Sequence, residues 1–292
     1  MMPPSLILLF HAVGTPDATG YKDAVSAKWL ERALAWLQRH YSVVSLDDLV
    51  ARRQRGESLK GLAALTFDDN HRSIAEVALP LVAARGLPAT WFLMTAPLGG
   101  AAYWRRQVTI LIAQGREQPF RAFLQEHAPE VASALRPGRF YKDSKDPRRV
   151  SPLRMAALLS AFLPEVDNGF VTPGEVAALA LPGVTLGNHS HRHLVMAGLR
   201  GEEQRREIAV AGEALSHYPQ PKSRVFGVPF GGPGSYDADT LRAVAAAGLA
   251  TAAVTTAGLK AADDVSGHTL LAGGDALVRC LAPALRSSRT ME

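Results

Sequence analysis

The sequence has a single cysteine, Cys280, so it contains neither an internal disulfide framework nor a metal site built from several cysteines. It also lacks a long apolar run. The apolar stretch near the start, Leu6–Phe10, has five residues, far short of the roughly 18–20 that cross a bilayer. This stretch is also too short for the core of a secretory signal, and no basic segment precedes it. We therefore expect a cytoplasmic protein.

Excess positive charge is scarce outside one segment. The chain has 32 Lys and Arg against 27 Asp and Glu, a net charge of +5. Residues 136–154, here called the basic segment, hold seven basic and two acidic residues and so account for the whole excess. Because no nucleic-acid-reading motif accompanies it, we expect no nucleic-acid partner. The basic segment is compatible with a phosphate-bearing carrier or an anionic membrane surface, and also with a solvated flexible loop.

The chain does have enough apolar residues for a full core, with 47% hydrophobic types among 292 residues. Apolar runs alternate with helical patterns, which predicts a mainly parallel α/β sheet, either a closed barrel or an open doubly wound sheet. The predicted strands are Leu6–Phe10, Leu62–Phe67, Ala89–Met94, Val184–Leu186, Arg224–Val228 and Leu249–Thr255. A largely helical segment, approximately 98–171, interrupts this series. We interpret it as an insertion in a single domain of residues 1–292.

Two polar motifs follow predicted strands, where parallel sheets carry their functional residues. The first is LTFDDN, residues 65–70, whose carboxylates Asp68 and Asp69 suit a general base and a metal ligand, or else an Asx turn and helix cap. The second is GNHSHRH, residues 187–193. A helical turn would place His189 and His193 on one face, a spacing that suits zinc, whereas a lone histidine is most often structural. Together with Asp69 they would form a two-histidine, one-carboxylate site.

At these residues the chain resembles the polysaccharide deacetylase family, the NodB-homology carbohydrate esterases of family 4. TFDDN is similar to the family's TFDDG motif, HSHRH to its H-[ST]-x-x-H motif, and ATWFLMT to its A-T-x-F strand. VFGVPFGG, residues 225–232, is similar to its R-x-P-[YF]-G motif. The resemblance covers roughly residues 5–95 and 172–256. It implies a distorted (β/α)7 TIM-like barrel instead of the open sheet.

The resemblance also implies a metal-dependent hydrolase that removes an N-acetyl group from an amino sugar in a glycan or a carrier-linked precursor. Asp69, His189 and His193 would hold the metal, usually Zn²⁺. Metal-bound water would attack the acetamide, and Asp68 would act as general base. Phe230 occupies the position whose backbone N–H stabilises the oxyanion.

Other residues are expected near the substrate or depart from the family pattern. His11, Pro229 and Gly231 are expected at the substrate, whereas Tyr103 and Trp104 are expected to anchor a helix. Asn70 replaces the glycine of the first motif, a substitution that a left-handed backbone tolerates. Gly227 replaces the arginine that orients the base in the family. The family's L-x-x-H motif is missing, which leaves His268 as the candidate general acid.

Two alternatives stay open from the sequence. The same barrel could hydrolyse another C–N bond or an O-acetyl ester. The missing arginine and acid histidine are also compatible with a glycan-binding protein that has lost turnover, although retention of the metal ligands and the base argues against it.

Overall fold

The computed structural model describes residues 3, 5–15, 20–21, 24–232 and 234–249, and the backbone of strands 251–254, 258–261 and 278–281. Apolar runs form the strands β1 (Leu6–Phe10), β2 (Ser42–Val43), β3 (Leu62–Asp68), β4 (Ala89–Leu93), β5 (Val184–Asn188), β6 (Lys222–Gly227), β7 (Thr251–Val254), β8 (Gly258–Ala261) and β9 (Val278–Leu281). Every residue of β1 and β4 is buried, as expected for parallel strands covered on both faces. The six predicted strands are all present, with ends that differ by at most two residues.

The strands form one curled sheet in the order β8-β7-β6-β5-β4-β3-β1-β9, with β2 paired to the start of β3. Along this order, the seven described strands from β7 to β9 are parallel, and β8 is antiparallel to β7. An open doubly wound sheet would reverse the direction of strand addition. Here β3, β4, β5, β6 and β7 are added one after another on the same side of β1. Strand β9 pairs with the other edge of β1. The half-barrel confirms the predicted TIM-like (β/α) barrel fold.

The helices that the structure describes are α1 (Ala27–His40), α2 (Leu46–Gln54), α3 (Leu79–Ala83), α4 (Thr95–Leu98), α5 (Trp104–Ala113), α6 (Glu117–His127), α7 (Pro129–Ala134), α8 (Phe140–Asp143), α9 (Pro152–Phe162), α10 (Pro173–Ala178), α11 (Gly201–Ser216) and α12 (Ala238–Ala246). A π-helical turn, Ile74–Ala78, precedes α3. Pro80 explains it, because proline donates no N–H and its ring displaces the carbonyl four residues earlier. None of the described helices is both long and apolar enough to cross a membrane.

The predicted insertion, residues 98–171 between β4 and β5, is largely helical, as expected, and contains α5 to α9. Its buried side chains, such as Trp104 and Phe120, share one apolar cluster with Ile208 of α11, Phe226 of β6 and Leu241 of α12. The insertion therefore packs against the part of the barrel that follows the histidine motif. This packing brings the start of α5 to the carboxyl ends of the strands, an edge called the rim below.

The basic segment is organised around a buried carboxylate. Asp143, at the end of α8, is 1% exposed and accepts hydrogen bonds from the backbone N, Nε and Nη2 of Arg136. Arg139 and Arg149 lie within 3.9 and 3.6 Å of the same carboxylate. Hydrogen bonds from Arg136 hold the pKa of Asp143 well below its usual range. Much of the segment's positive charge is therefore neutralised within the segment.

Candidate metal centre and catalytic rim

The two acidic residues of the TFDDN motif lie where β3 ends and the chain turns. Asp68 is the last residue of β3, and Asp69 has a left-handed backbone with φ of 66°. The indole Nε1–H of Trp91, on the neighbouring strand β4, donates a 2.8 Å hydrogen bond to the carbonyl of Asp69. Trp91 is fully buried, so it is a core residue that also supports this turn. Both acidic residues are buried at the rim, at 2% and 0% exposure.

Asn70 replaces the glycine of the family motif for a reason that the sequence did not reveal. The left-handed residue of this turn is Asp69, so conformational tolerance does not explain the asparagine. Instead, Asn70 Nδ2 donates to the carbonyl of Met94 at 2.7 Å, and Asn70 Oδ1 accepts from the backbone N of Met94 at 3.0 Å. This pair of bonds joins the ends of β3 and β4, which glycine could not do.

The histidine motif follows β5 as an ordered loop, and the predicted helical turn is wrong. Ser190 and His193 have left-handed backbones, with φ of 65° and 54°. Side chains replace the helical hydrogen bonds: Asn188 Oδ1 accepts from the N–H of Ser190 at 2.9 Å, and Ser190 Oγ accepts from the N–H of His193 at 3.0 Å. The four-residue spacing still brings both imidazoles together, but through this loop.

Asp69, His189 and His193 each bring one ligand atom to within 4.8 Å of the others. Asp69 Oδ1 lies 3.6 Å from Nε2 of His189 and 3.5 Å from Nε2 of His193. Asp68 Oδ2 lies 3.7 Å from the same nitrogen of His189. Within the described part of the chain, the buried Asp69 Oδ1 has no hydrogen-bond partner. A buried carboxylate oxygen without a donor is costly, so this arrangement favours a bound cation.

A backbone carbonyl sets the orientation of His189. Its Nδ1–H donates a 2.7 Å hydrogen bond to the carbonyl of Gly227 at the end of β6, which leaves the lone pair on Nε2 facing Asp69. A Cβ at position 227 would lie 2.8 Å from the Phe92 ring and 3.0 Å from Nδ1 of His189. The glycine that departs from the family motif is therefore required by the packing of this site.

The start of the insertion holds His193, although helix anchoring was the role expected of these residues. The Tyr103 hydroxyl lies 3.3 Å from Nδ1 of His193, and the indole N–H of Trp104 donates to the carbonyl of His193 at 3.0 Å. Burial lowers the pKa of His193 well below its ordinary value, and the nearby His189 and Arg105 act in the same direction. The imidazole is therefore neutral, the form that binds metal ions.

Tyr21 supports Asp69 from the opposite side and was missed in the sequence. Its hydroxyl donates a 2.9 Å hydrogen bond to Asp69 Oδ2, which leaves Oδ1 for the two histidines. Burial, followed by the charge of Asp69, raises the pKa of Tyr21 well above its ordinary value, so the hydroxyl stays protonated. The ring of His11 stacks on Tyr21 with 5.8 Å between centroids, which places His11 one residue away from the cluster.

The loop after β6 completes the rim. The Phe230 ring packs edge-on against His193 with 4.8 Å between centroids, and Pro229 and Gly231 flank it in the same buried loop. Left-handed backbones are uncommon outside glycine and cost about 1–2 kcal/mol each. Among the described non-glycine residues, all those with positive φ lie at this site: Asp69, Ser190, His193 and Phe230. Strain concentrated in this way is typical of functional sites.

A family model of polysaccharide deacetylases matches residues 55–252, a range that includes both polar motifs and the insertion. The chain belongs to the polysaccharide deacetylase family. The resemblance read from the motifs is thereby confirmed, and this carbohydrate deacetylase has its candidate metal ligands where the barrel strands end. No curated protein sequence matches the chain.

Solved structures share the fold of this deacetylase at low sequence identity. The Streptococcus pyogenes deacetylase PplD, solved with acetate, has a TM-score of 0.59 and 15% identity over 100% of both chains. A de-N-acetylase from Aggregatibacter actinomycetemcomitans has a TM-score of 0.53 and 14% identity, covering 95% of this chain and 94% of that one. The BpsB deacetylase domain from Bordetella bronchiseptica has a TM-score of 0.53 and 18% identity, covering 96% of each chain.

The structure gathers most of the predicted site residues of this deacetylase around one point. The metal-ligand candidates, Asp68, the Phe230 loop and His11 all lie at the rim. His268, the predicted acid, lies outside the described residues. Beside the cluster is a cavity of about 490 Å³ whose walls include Tyr21 and Tyr103, the two tyrosines that contact the ligand candidates.

Proposed function

We propose that this deacetylase is a metal-dependent hydrolase that removes the N-acetyl group from an amino sugar, either in a glycan or in a carrier-linked precursor. The observation that carries the proposal is the buried, unsatisfied Asp69 Oδ1 facing Nε2 of His189 and of His193, with the Asp68 carboxylate beside them. The family supports carbohydrate deacetylation, and this cluster supports metal dependence. A cytoplasmic location, membrane contact through residues 136–154 and the lack of a nucleic-acid partner stay predictions.

The donor set fits a divalent cation, and we propose Zn²⁺. Two imidazole nitrogens and one carboxylate oxygen are typical zinc ligands and leave positions open for water and substrate. The carbonyl of Gly227 and the Tyr21 hydroxyl already orient His189 and Asp69, as supporting groups do in metal sites. When bound, the ion would polarise the acetamide carbonyl and lower the pKa of a water molecule.

Asp68 is the proposed general base. Its carboxylate lies at the cluster without being part of the three-residue ligand set, so it can accept a proton from the attacking water. Water supplies a hydroxyl group to the acetyl carbon, the amide C–N bond breaks, and the proton ends on the leaving nitrogen. The products are acetate and the free amine. The backbone N–H of Phe230 is the proposed donor to the oxyanion.

The test is release of acetate from N-acetylated sugars by the zinc-loaded protein. We expect equal amounts of acetate and free amine from an N-acetylglucosamine oligomer, and loss of both after chelation, with recovery when zinc is returned. Acetate from an O-acetylated sugar but not from N-acetylated ones would indicate an esterase instead. Sugar binding without any acetate release from the loaded protein would indicate a binding protein.

A further inference from the structure

Two basic side chains of the insertion lie at the rim outside ion-pair distance of any described carboxylate, although the charge of Asp69 helps to raise the pKa of Arg105. The guanidinium carbon of Arg105 is 5.0 Å from the centroid of the Phe230 ring, and Lys145 Nζ is 5.9 Å from the same centroid. Within the described part of the chain, neither has a carboxylate oxygen within 4.0 Å. Three arginines of the basic segment share Asp143, whereas Lys145 belongs to the same segment and is directed to the catalytic loop.

A tyrosine links the two cations. Nη2 of Arg105 donates a 3.1 Å hydrogen bond to the Tyr141 hydroxyl, and Lys145 Nζ lies 4.6 Å from the centroid of the Tyr141 ring. Burial lowers the pKa of Lys145, and the charge of Arg105 also acts in that direction. Two partly buried cations held close together by a tyrosine would both gain from an anion between them.

The adjoining cavity is positively charged. Arg105 and Arg106 both line it, and none of its described lining residues is acidic. Its volume of about 490 Å³ lies in the range of pockets that enclose small ligands. Tyr21 and Tyr103 form walls of this cavity and also contact Asp69 and His193. A ligand in the cavity would thus lie next to the proposed metal.

We propose that Arg105 and Lys145 form a subsite for an anionic group of the substrate, a phosphate or a carboxylate. The inference rests on the proposed function and deepens it, because it names the substrate class: an N-acetylated sugar with an anionic group close to the acetamide. The planar guanidinium of Arg105 can donate two parallel hydrogen bonds to oxygens of either group. Lys145 supplies a second positive charge on the same side.

Arg148 shows how a basic residue of this segment looks when it has no such role. Its side chain is 88% exposed and paired with Asp146 at 2.9 Å. Arg105 and Lys145 instead contact uncharged aromatic rings of the site. Aromatic faces attract cations without using their N–H groups, and the single bond from Nη2 of Arg105 to the Tyr141 hydroxyl leaves other N–H groups of the guanidinium for an anion. This difference is what an anion-binding role requires.

The experiment compares kcat/KM of the zinc-loaded protein for three substrates: N-acetylglucosamine 1-phosphate, a disaccharide of N-acetylglucosamine and glucuronic acid, and neutral N,N′-diacetylchitobiose. We expect the wild type to prefer one of the charged substrates. Arg105→Gln and Lys145→Gln should each lower the charged-to-neutral ratio about tenfold or more, mainly through KM, because each removes a charge-assisted contact. Arg105→Lys should recover part of the ratio. Arg148→Gln, in the same segment but 88% exposed and paired with Asp146, should leave it unchanged.

The outcomes separate the two proposals. If the variants lose more kcat/KM for the phosphate substrate than for the glucuronate substrate, the anion is a phosphate, and the opposite result identifies a carboxylate. A wild type that prefers the neutral substrate, or variants that lower all three rates equally, would overturn the subsite while leaving the deacetylase proposal intact. No acetate from any of the three would contradict the proposed function and the subsite with it. If Arg105→Gln does not fold, Lys145→Gln alone decides.

Discussion

The barrel rim and the insertion contribute to the site in different ways. The rim supplies the ligand candidates and the base from two short motifs that end β3 and β5, and strained backbones hold them. The insertion supplies side chains spread over residues 103–145 that reach the rim because α5 and the basic segment pack back onto it: Tyr103, Trp104, Arg105, Tyr141 and Lys145. We infer that the rim carries out the reaction and that the insertion selects the substrate.

The largest effect should come from the base at the rim. Asp68→Asn removes the proton acceptor while preserving shape, so acetate release should fall about 10²–10⁴-fold. Zinc content, measured on the same sample, should match that of the wild type, because Asp68 is outside the three-residue ligand set. Activity within tenfold of wild type would remove Asp68 as the base.

Gly227→Ala tests whether the backbone of β6 sets the ligand geometry. The added methyl would lie 2.8 Å from the Phe92 ring, which must shift, and 3.0 Å from Nδ1 of His189, which would be crowded at its hydrogen bond to the Gly227 carbonyl. We expect zinc affinity to fall about 10–100-fold, as for other supporting groups of metal ligands. Competition with a chromogenic chelator measures it.

Gly212→Ala is the matched control, because a Cβ there meets only Asn188 Nδ2, at 3.6 Å, on an α11 position. It should leave zinc affinity unchanged and raise the free energy of unfolding by about 0.5–1 kcal/mol. Equal zinc affinities for the two variants would contradict the role assigned to Gly227.

Tyr21→Phe removes the hydrogen bond to Asp69 Oδ2 but keeps the ring. We expect zinc affinity to weaken by about tenfold, because the carboxylate loses the donor that orients it. Tyr103→Phe removes a longer contact, 3.3 Å from His193, and should have the smaller effect in the same titration. If Tyr103→Phe weakens zinc affinity more than Tyr21→Phe does, the insertion, and not the chain after β1, is the main support of the cluster.

Asp143→Asn should change stability and leave turnover of a neutral substrate unaffected. It weakens three hydrogen bonds from Arg136, which we expect to lower the free energy of unfolding by about 1–3 kcal/mol at pH 7. Because the folded-state pKa of Asp143 lies below its unfolded value, its contribution is present above about pH 4 and is lost as pH falls further.

Urea unfolding at several pH values measures this contribution. Wild type and Asp143→Asn should converge below about pH 4. Asp146→Asn, whose partner Arg148 is 88% exposed, serves as comparison and should have the smaller effect. A constant difference between wild type and Asp143→Asn down to pH 2 would contradict the proposed ion pairing.

The sequence predicted the rim well, because short motifs next to apolar strands carry the information locally. It misjudged how the chain places them: His189 and His193 meet through a left-handed loop, and Asn70 acts through its side chain. Periodicity cannot show either feature, since each depends on hydrogen bonds to a neighbouring segment.

The sequence could not place the residues that the rest of the fold brings to the rim. Tyr21 lies in a polar stretch without a motif, and Arg105 and Lys145 are forty residues apart in a segment outside the family resemblance. Their contacts with Asp69 and Phe230 arise only from tertiary packing. Charge counting located the basic segment but did not show that Asp143 neutralises one part of it while Lys145 faces the site.

The measurement that tests the central claim most directly is metal content together with acetate release for the wild type and Asp69→Asn. The account predicts about one zinc ion per chain in the wild type, and neither bound zinc nor detectable acetate release in the variant. Acetate release by fully metal-free wild type, or wild-type zinc content in Asp69→Asn, would contradict it.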